Sequence, residues 1–512
     1  MTMVDAGVVG ERWSLRPEVR LERSGSDGSL RITHRFGTGL LPSTSPALTS
    51  ALLRLAAGPV SLAELTDPLL ESAQPSDLAR FHWLLDQLQG LCVRGVWAGG
   101  RQLAVAVPLV PRAKLSFAAC SERAVRLSRF SYLRRIGDRL AAESPLSLYR
   151  VEATSPEAAQ VLTGLAAGLD ELVWSDVTAG LAGLLVGTGL AELAGEEPGE
   201  PDEVLRQWTF HDLLFHSRSR MGRHDDDFGA TFPFVGQVEP QPAVRRLPDG
   251  AVLPLGRPDL ADLLSRDAPL TAVIEARRSV RSYDEKPVTV AELGELLYRS
   301  ARVRATMGPD ADHGMPYPAS DRPYPCGGAG YDLELYLTVR RCDGLAPGIY
   351  FYDPLGHQLV LVTGAEPPRQ QLLQHAFVAC GGATVPDILV TLTARFQRLG
   401  WKYRGMAYAA TLKHVGVLYQ TFYLIATAMG LAPCGLGSGD ADLAASAFGL
   451  DWARESSVGE FMLGRRPAGA ADDPASVSSV AGYRPANDPQ WVGDGARLIK
   501  RLAAAKREGG PR

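Results

Sequence analysis

The stretch Ile274-Glu-Ala-Arg-Arg-Ser-Val-Arg-Ser-Tyr283 sets Arg277, Arg278 and Arg281 around Ser279 within five residues. Three cations this close repel one another unless water or an anion compensates them. A guanidinium is a planar fork of donors that can grip a phosphate or carboxylate bidentately. Charge spacing alone would fit a solvated helix face. A proline and a leucine-rich helical pattern follow, Pro287-Val-Thr-Val-Ala-Glu-Leu-Gly-Glu-Leu-Leu297. What comes after this stretch reads as one domain, and what comes before it reads as an addition.

At 512 residues the chain is too long for one ordinary core. An apolar fraction of 46% with 21% charged residues is that of a globular chain. The formal net charge of −4 offers no global field for nucleic acid. The apolar runs near Leu184 and from Gly416 to Leu431 are interrupted, so no membrane span is expected. The N-terminus lacks a basic region followed by an apolar core, so no secretory signal is expected. Six cysteines, Cys92, Cys120, Cys326, Cys342, Cys380 and Cys434, form no CxxC pair. That argues against structural zinc and a disulfide framework, and for a reducing cytoplasm.

Ahead of the arginines, residues 1 to about 44 alternate in short patches and predict strands. Ser45-Pro46 then opens a helix that Gly58-Pro59 stops, and Ser61 and Asp77 begin two more. Strand-like runs 93–97 and 102–107 follow, joined by a turn with Gly99-Gly100. Helices and a hairpin in this order predict a winged helix. Ser155-Pro156 and Leu165-Ala-Ala-Gly168 repeat Ser45-Pro46 and Leu55-Ala-Ala-Gly58. The expectation is two tandem winged-helix-like units, 1–112 and 113–207. The third helix carries Arg80 and His82 but also Asp77 and Asp86, which is too little positive charge for DNA. An extended peptide adding to a sheet edge fits better. A connecting segment is expected over 208–257. Within it His211, His216 and His224 lie beside Asp225 to Asp227, but His211 and His216 are five apart, a poor helical metal spacing. No metal is expected.

The rest divides into a domain over 258–470 and a C-terminal extension over 471–512. Residues 307–323 read as a mobile loop. Pro323-Tyr-Pro-Cys-Gly-Gly-Ala-Gly330 brings glycines that let backbone approach a flat ligand. Strands 333–339, 347–354 and 357–362 follow, then 388–396. Gly400-Trp-Lys-Tyr-Arg-Gly405 precedes a helical stripe over 406–430, apolar on most sides and so expected in a core or a dimer interface. Pro433-Cys-Gly-Leu-Gly-Ser-Gly-Asp440 is a glycine-rich turn, and Glu460 to Arg465 a last strand.

Arg277 to Tyr283, Tyr324 to Ala329, Leu333-Glu-Leu-Tyr336, Pro347 to Pro354 and the Lys402-Tyr403 pair together resemble the SagB-type azoline dehydrogenases, a branch of the FMN-dependent nitroreductases. The resemblance covers about Trp208 to Arg465. Its departure is Cys326, where the branch has serine; a thiol is the poorer hydrogen-bond partner. The resemblance implies an α+β fold, with a C-terminal FMN nitroreductase domain built on a central mixed sheet flanked by helices. It implies FMN held by Arg277, Arg278, Ser279, Arg281, Cys326, Gly327, Gly328, Gly435, Leu436, Gly437 and Arg465. It implies Lys402 and Tyr403 as catalytic residues, one removing the Cα proton of a thiazoline or oxazoline. A lysine can be that base only where burial or a cation such as Arg404 favours the free amine. If the segment were helical, consecutive residues would diverge by ~100° and only one of the pair would reach the ring. The implied substrate is a ribosomally made precursor peptide, the implied acceptor O2, and the implied partners an upstream cyclodehydratase and a second copy of the chain. Other readings are an NAD(P)H-dependent nitro or quinone reductase, and a non-catalytic peptide-binding scaffold.

Overall fold

The computed structural model describes residues 9–24, 29–42, 44–72, 74–118, 120, 125–168, 174–193 and 202–467. The C-terminal extension and its expected helix at 495–506 lie outside these, as does most of the linker at 194–207. The chain divides into two compact units, Met1–Asp227 and Phe228–Arg512, with the boundary inside the expected connecting segment.

In the first unit the serine caps form as the sequence predicts. Ser45 accepts the Leu48 N–H and starts the helix Pro46–Ala57; Ser155 accepts the Ala158 N–H and starts Pro156–Ala167. Proline follows each cap, and Gly58 and Gly168 end the two helices. Helices Leu62–Leu70 and Asp77–Leu88 complete a bundle around Leu48, Leu52, Leu65, Phe81 and Leu85. The two repeats are joined through backbone. Strand Arg101–Pro108 of the first pairs antiparallel with Tyr149–Ala153 of the second, inside one six-stranded sheet. Strands Val125–Leu127 and Tyr132–Ile136 are separated by a turn. A separate three-stranded sheet, Arg20–Ser24, Ser29–His34 and Gly37–Leu41, has Gly37–Leu41 at one edge.

In the second unit seven strands run in the order Val252–Pro254, Gln358–Thr363, Gly348–Asp353, Leu333–Val339, Ile388–Arg395, Glu455–Arg465 and Leu431–Leu436. Every pairing is antiparallel, which corrects the expected mixed sheet. The reason lies in the connections. Residues 340–347 and 354–357 are hairpin links, and the short helix Ala441–Phe448, packed on one sheet face, returns the chain to the neighbouring strand in the opposite direction. Leu333–Val339 and Ile388–Arg395 are buried at every position, so helices must cover both faces. On one face Leu335, Leu337 and Val390 pack with Leu293, Leu297, Leu418 and Phe422. On the other Tyr336, Phe351 and Leu389 pack with Leu372, Leu373 and Phe448. Tyr336 stacks on Phe448 with centroids 4.3 Å apart.

The helix Ala407–Ala428 positions the site. Thr411, His414, Val415, Leu418 and Phe422 face the sheet, while Leu412, Lys413, Gly416 and Gln420 are exposed. Among the described residues no helix is long and apolar enough to cross a membrane.

Candidate active site

The arginine stretch leaves the short helix Leu270–Ala276 as extended backbone and is stapled to the strand Leu431–Leu436, where the Val280 N–H meets the Pro433 carbonyl at 2.9 Å. The Ser279 hydroxyl lies 2.7 Å from that of Tyr423, which also accepts the Gly435 N–H at 2.8 Å. The Arg277 guanidinium stands over the Tyr423 ring at 5.3 Å. Arg278 holds the Glu275 and Arg277 carbonyls. Arg278, Ser279 and Arg281 are exposed, and no carboxylate pairs with any of the three arginines in the described structure. The sequence-predicted set Arg277, Arg278, Ser279, Arg281 and Gly435 is therefore brought together as an uncompensated cationic surface. Gly437 is exposed, with nothing near the position its Cβ would take; Leu436 is buried beneath it. Arg465 stands apart from this group. It is committed to Glu292 at 2.5 Å and to the Pro287 carbonyl, bracing the capping box that starts the helix Val290–Ala301.

Cys326 to Gly330 form a second centre. Gly328, Ala329 and Tyr331 have φ of 57°, 53° and 37°. Two non-glycine residues in the left-handed region cost of order 1–3 kcal/mol each, so the turn needs external ties. Three are made: the Gly327 N–H donates to His414 Nε2 at 2.9 Å; the Gly328 carbonyl accepts from Tyr317 at 2.7 Å; the Gly330 carbonyl accepts two N–H groups of Arg398 at 2.6 and 2.8 Å. Within the turn the Tyr331 N–H reaches Cys326 Sγ at 3.1 Å. The Cys326 thiol thus points inward, 3.5 Å from His414 Nδ1, leaving its backbone for any ligand.

His414 Nδ1 lies 2.8 Å from Asp332, whose other oxygen accepts from Thr411 one turn earlier on the same helix. Burial opposes an imidazolium here, whereas Asp332 and Cys326 favour one. The Gly327 N–H decides it: a nitrogen that accepts cannot carry a proton, so the ring is neutral with its proton on Nδ1. Cys326, Asp332 and His414 are close enough to hold a metal ion. Both ring nitrogens are already committed, however, so a metal at Nδ1 would require an imidazolate. Beneath the turn, burial together with Arg395 and Arg322 pulls Arg398 down to about 10.

Lys402 and Tyr403 are not helical. The helix Phe396–Gly400 ends before them, and Tyr403–Arg404 pairs with Gly229–Ala230 as a short antiparallel ladder. Both side chains therefore reach the glycine turn. Lys402 is 8% exposed, and its Nζ lies 4.5, 5.0 and 5.7 Å from the ring centres of Tyr317, Tyr403 and Phe232. Nζ donates to the Tyr317 hydroxyl, and no carboxylate pairs with it in the described structure. A Cβ on Gly328 would overlap Nζ and come within 2.9 Å of the Tyr403 hydroxyl, so any larger residue would displace the amine. Tyr317, Phe232, His414, Asp332 and Tyr423 were not singled out from sequence. Tyr317 lies in the stretch read as a mobile loop, which instead forms a hairpin, Ala305–Met307 with Ala319–Asp321. His414 had one visible signal, a lone histidine in an apolar helical stripe.

Residues 274–465 match the family described as the nitroreductase family, and residues 125–225 match that described as cyanobactin oxidase ThcOx. A curated protein of Methanocaldococcus jannaschii, named for the nitroreductases, is 28% identical over 192 residues, 37% of this chain and 86% of that protein. Among solved structures, a nitroreductase-named protein from Ralstonia eutropha is 20% identical over 45% of this chain and 100% of its own, with a TM-score of 0.34. One from Desulfovibrio desulfuricans in complex with FMN is 16% identical over 43% of this chain and 98% of its own, with a TM-score of 0.27. The E. coli microcin synthetase McbBCD complex with truncated pro-MccB17 bound is 22% identical over 36% of this chain and 67% of that chain, with a TM-score of 0.30. The nitroreductase likeness first read at Arg277 to Tyr283 thus extends by family match from residue 274 to residue 465.

Proposed function

We propose that this chain, similar to the nitroreductase family over residues 274–465 and to the cyanobactin oxidase family over 125–225, is an FMN-dependent azoline dehydrogenase. It converts thiazoline or oxazoline rings of a ribosomally made precursor peptide into thiazoles or oxazoles, after a cyclodehydratase has formed them, with O2 as final acceptor. The observation that carries this reading is Lys402: a buried amine without a carboxylate partner, pressed by aromatic rings against a glycine turn. An ordinary reductase has no use for such a base.

The residues present fit FMN. Arg278 and Arg281 are exposed cations suited to a phosphate, with the half-buried Arg277 and the exposed Ser279 among them, and the exposed Gly437 leaves room for a flat ring. Gly327 and Gly328 offer a second approach from the Lys402 side. Bound FMN would supply the two-electron oxidation, taking a hydride from ring Cβ. Lys402 Nζ takes the Cα proton, which the adjacent C=N and carbonyl make acidic. The Tyr403 hydroxyl, beside the same turn, orients the ring.

The peptide is held by the first unit, read as tandem winged-helix-like units over 1–112 and 113–207. The edge strand Gly37–Leu41 is exposed along most of its length, and Phe36, Leu40 and Trp83 are exposed apolar side chains around it; Arg80, one turn before Trp83, reaches the Pro42 carbonyl. Such an edge accepts a further strand. Leu260, Leu264, Leu270 and Ile274 are exposed on two short helices next to the arginine stretch, which favours a homodimer that buries them.

The test is purified protein with an azoline-bearing peptide. Mass spectrometry should show loss of one pair of hydrogens per ring, and Lys402→Ala should abolish it while FMN stays bound. Rapid flavin bleaching by NADPH with activity independent of Lys402 would instead identify a nitro or quinone reductase. A colourless protein releasing no FMN on denaturation would leave only a peptide-binding scaffold.

A further inference from the structure

We infer that Tyr317 is a positioning residue for Lys402, fixing Nζ on the glycine turn and directing its lone pair away from the protein. The inference rests on Lys402 as the base. It adds a residue from the 307–323 stretch, which no motif singled out.

The argument is a proton count. The Gly328 carbonyl can only accept, so at 2.7 Å the Tyr317 hydroxyl spends its single proton there. The contact between Nζ and the same hydroxyl must then be donated by Nζ. An amine that donates toward Tyr317 cannot also aim its lone pair at it. The other directions around Nζ meet the rings of Tyr317, Tyr403 and Phe232, which accept no proton into covalent bonding. In the free-amine form that a base requires, the lone pair is left for the substrate.

Tyr317 can serve this purpose because it is itself immobile. It is 6% exposed, with its ring 6.1 Å from that of Phe232 and 6.3 Å from that of Trp401. Trp401 is pinned in turn by its indole N–H on the Val238 carbonyl at 2.7 Å. The Gly328 carbonyl is fixed by the ties of its neighbours to His414 and Arg398. Nζ is therefore referenced through one hydroxyl to a backbone atom with little freedom. In the step served, the Cα–H bond breaks, its electrons remain in the ring and its proton forms a new N–H bond at Lys402; bound FMN would supply the two-electron oxidant for the hydride leaving Cβ. Tyr317 gains and loses no proton.

The test compares Tyr317→Phe with wild type in the FMN-loaded protein, using peptide rings carrying hydrogen or deuterium at Cα. The ring packing survives this change, so FMN content and melting temperature should stay close to wild type. The peptide KM should hold, kcat should fall by roughly 100-fold, and the deuterium isotope effect should rise as proton removal becomes limiting. Unchanged kcat beside an inactive Lys402→Ala overturns the inference alone. Lower kcat with an unchanged isotope effect and a lower melting temperature also overturns it, since that is a purely structural role. A fully active Lys402→Ala removes the base, and the proposed function fails first.

Discussion

The hydroxyls of Ser279 and Tyr423 meet at 2.7 Å, although 144 residues separate them. Tyr423 simultaneously accepts the Gly435 N–H, so one phenol joins the arginine stretch to the glycine-rich strand end. Tyr423→Phe keeps the ring under Arg277 but leaves the Gly435 N–H without its acceptor. Such an unpaired donor costs about 1–3 kcal/mol when it stays buried. The expected result is a lower melting temperature and FMN that is lost on dialysis, read as a falling flavin-to-protein absorbance ratio. Full FMN retention would show that the two elements are held together without this link.

Gly328→Ala attacks the other centre. The residue sits at φ 57°, where a Cβ is strained, and that Cβ would overlap Lys402 Nζ. The amine lies at the end of a flexible side chain, so it moves before the backbone does. The protein should fold with FMN bound, losing about 1 kcal/mol of stability from the left-handed alanine, and ring oxidation should fall by more than tenfold. Retained turnover would mean that Lys402 does not act from the position described.

The fold was legible where local chemistry sets it. Serine caps, prolines at the first helical turn and terminating glycines fixed both repeat helices. Strands such as Leu333–Val339 announced themselves by leucines alternating with Glu334, Tyr336 and Thr338, although every position is buried. The direction of pairing was not legible, because it depends on how connections turn at the sheet end. The site divides in the same way. Arg277 to Arg281 and Lys402-Tyr403 are contiguous and carry their own chemistry. Tyr317 and Phe232 meet Lys402 across 85 and 170 residues of sequence, and neither lies in a periodic pattern. Asp332 and His414 are a pair only once the long helix lies across the strand ends. Arg465 and Glu292 likewise meet only once the last strand lies beside the start of the helix Val290–Ala301.

Leu264 is 75% exposed and Leu260 68%. Leucines this exposed on adjacent turns form the patch that the proposed homodimer would bury. Leu264→Glu should leave the isolated chain folded and convert a dimer to a monomer in light scattering, with weaker FMN binding if the site spans both copies. A wild-type protein that is monomeric at micromolar concentration would remove the interface.

Leu40→Asp and Trp83→Ala test the proposed peptide-holding surface. Leu40 is 62% exposed and Trp83 60%, so neither supports the core. A peptide held there contributes affinity and not chemistry. The expected signature is a tenfold or greater rise in peptide KM with kcat unchanged, about 1.4 kcal/mol or more of lost binding. A short azoline substrate lacking the flanking peptide should not discriminate between variant and wild type.

Asp225 lets the first unit be tested by pH. It pairs with Arg16 at 2.9 Å and Arg150 at 3.1 Å, tying the segment after the helix Phe210–Arg218 back to the sheet. Burial opposes its charge, but Arg150 and Arg16 more than offset this and hold the carboxyl below the usual range. A folded-state value below the unfolded one means stability that is fully present above the unfolded value, about pH 4, and lost as pH falls through the folded one. Asp225→Asn takes one counter-charge from each of two buried guanidinium groups, which keep Glu18 (Arg16) and Glu143 and Glu152 (Arg150), and should cost about 1–3 kcal/mol at pH 7. The gap in melting temperature between variant and wild type should stay constant from pH 8 to 5 and close below pH 4, where the wild-type carboxylate also takes up a proton. A gap that persists undiminished at pH 3 would assign the loss to packing, not to the ion pairs.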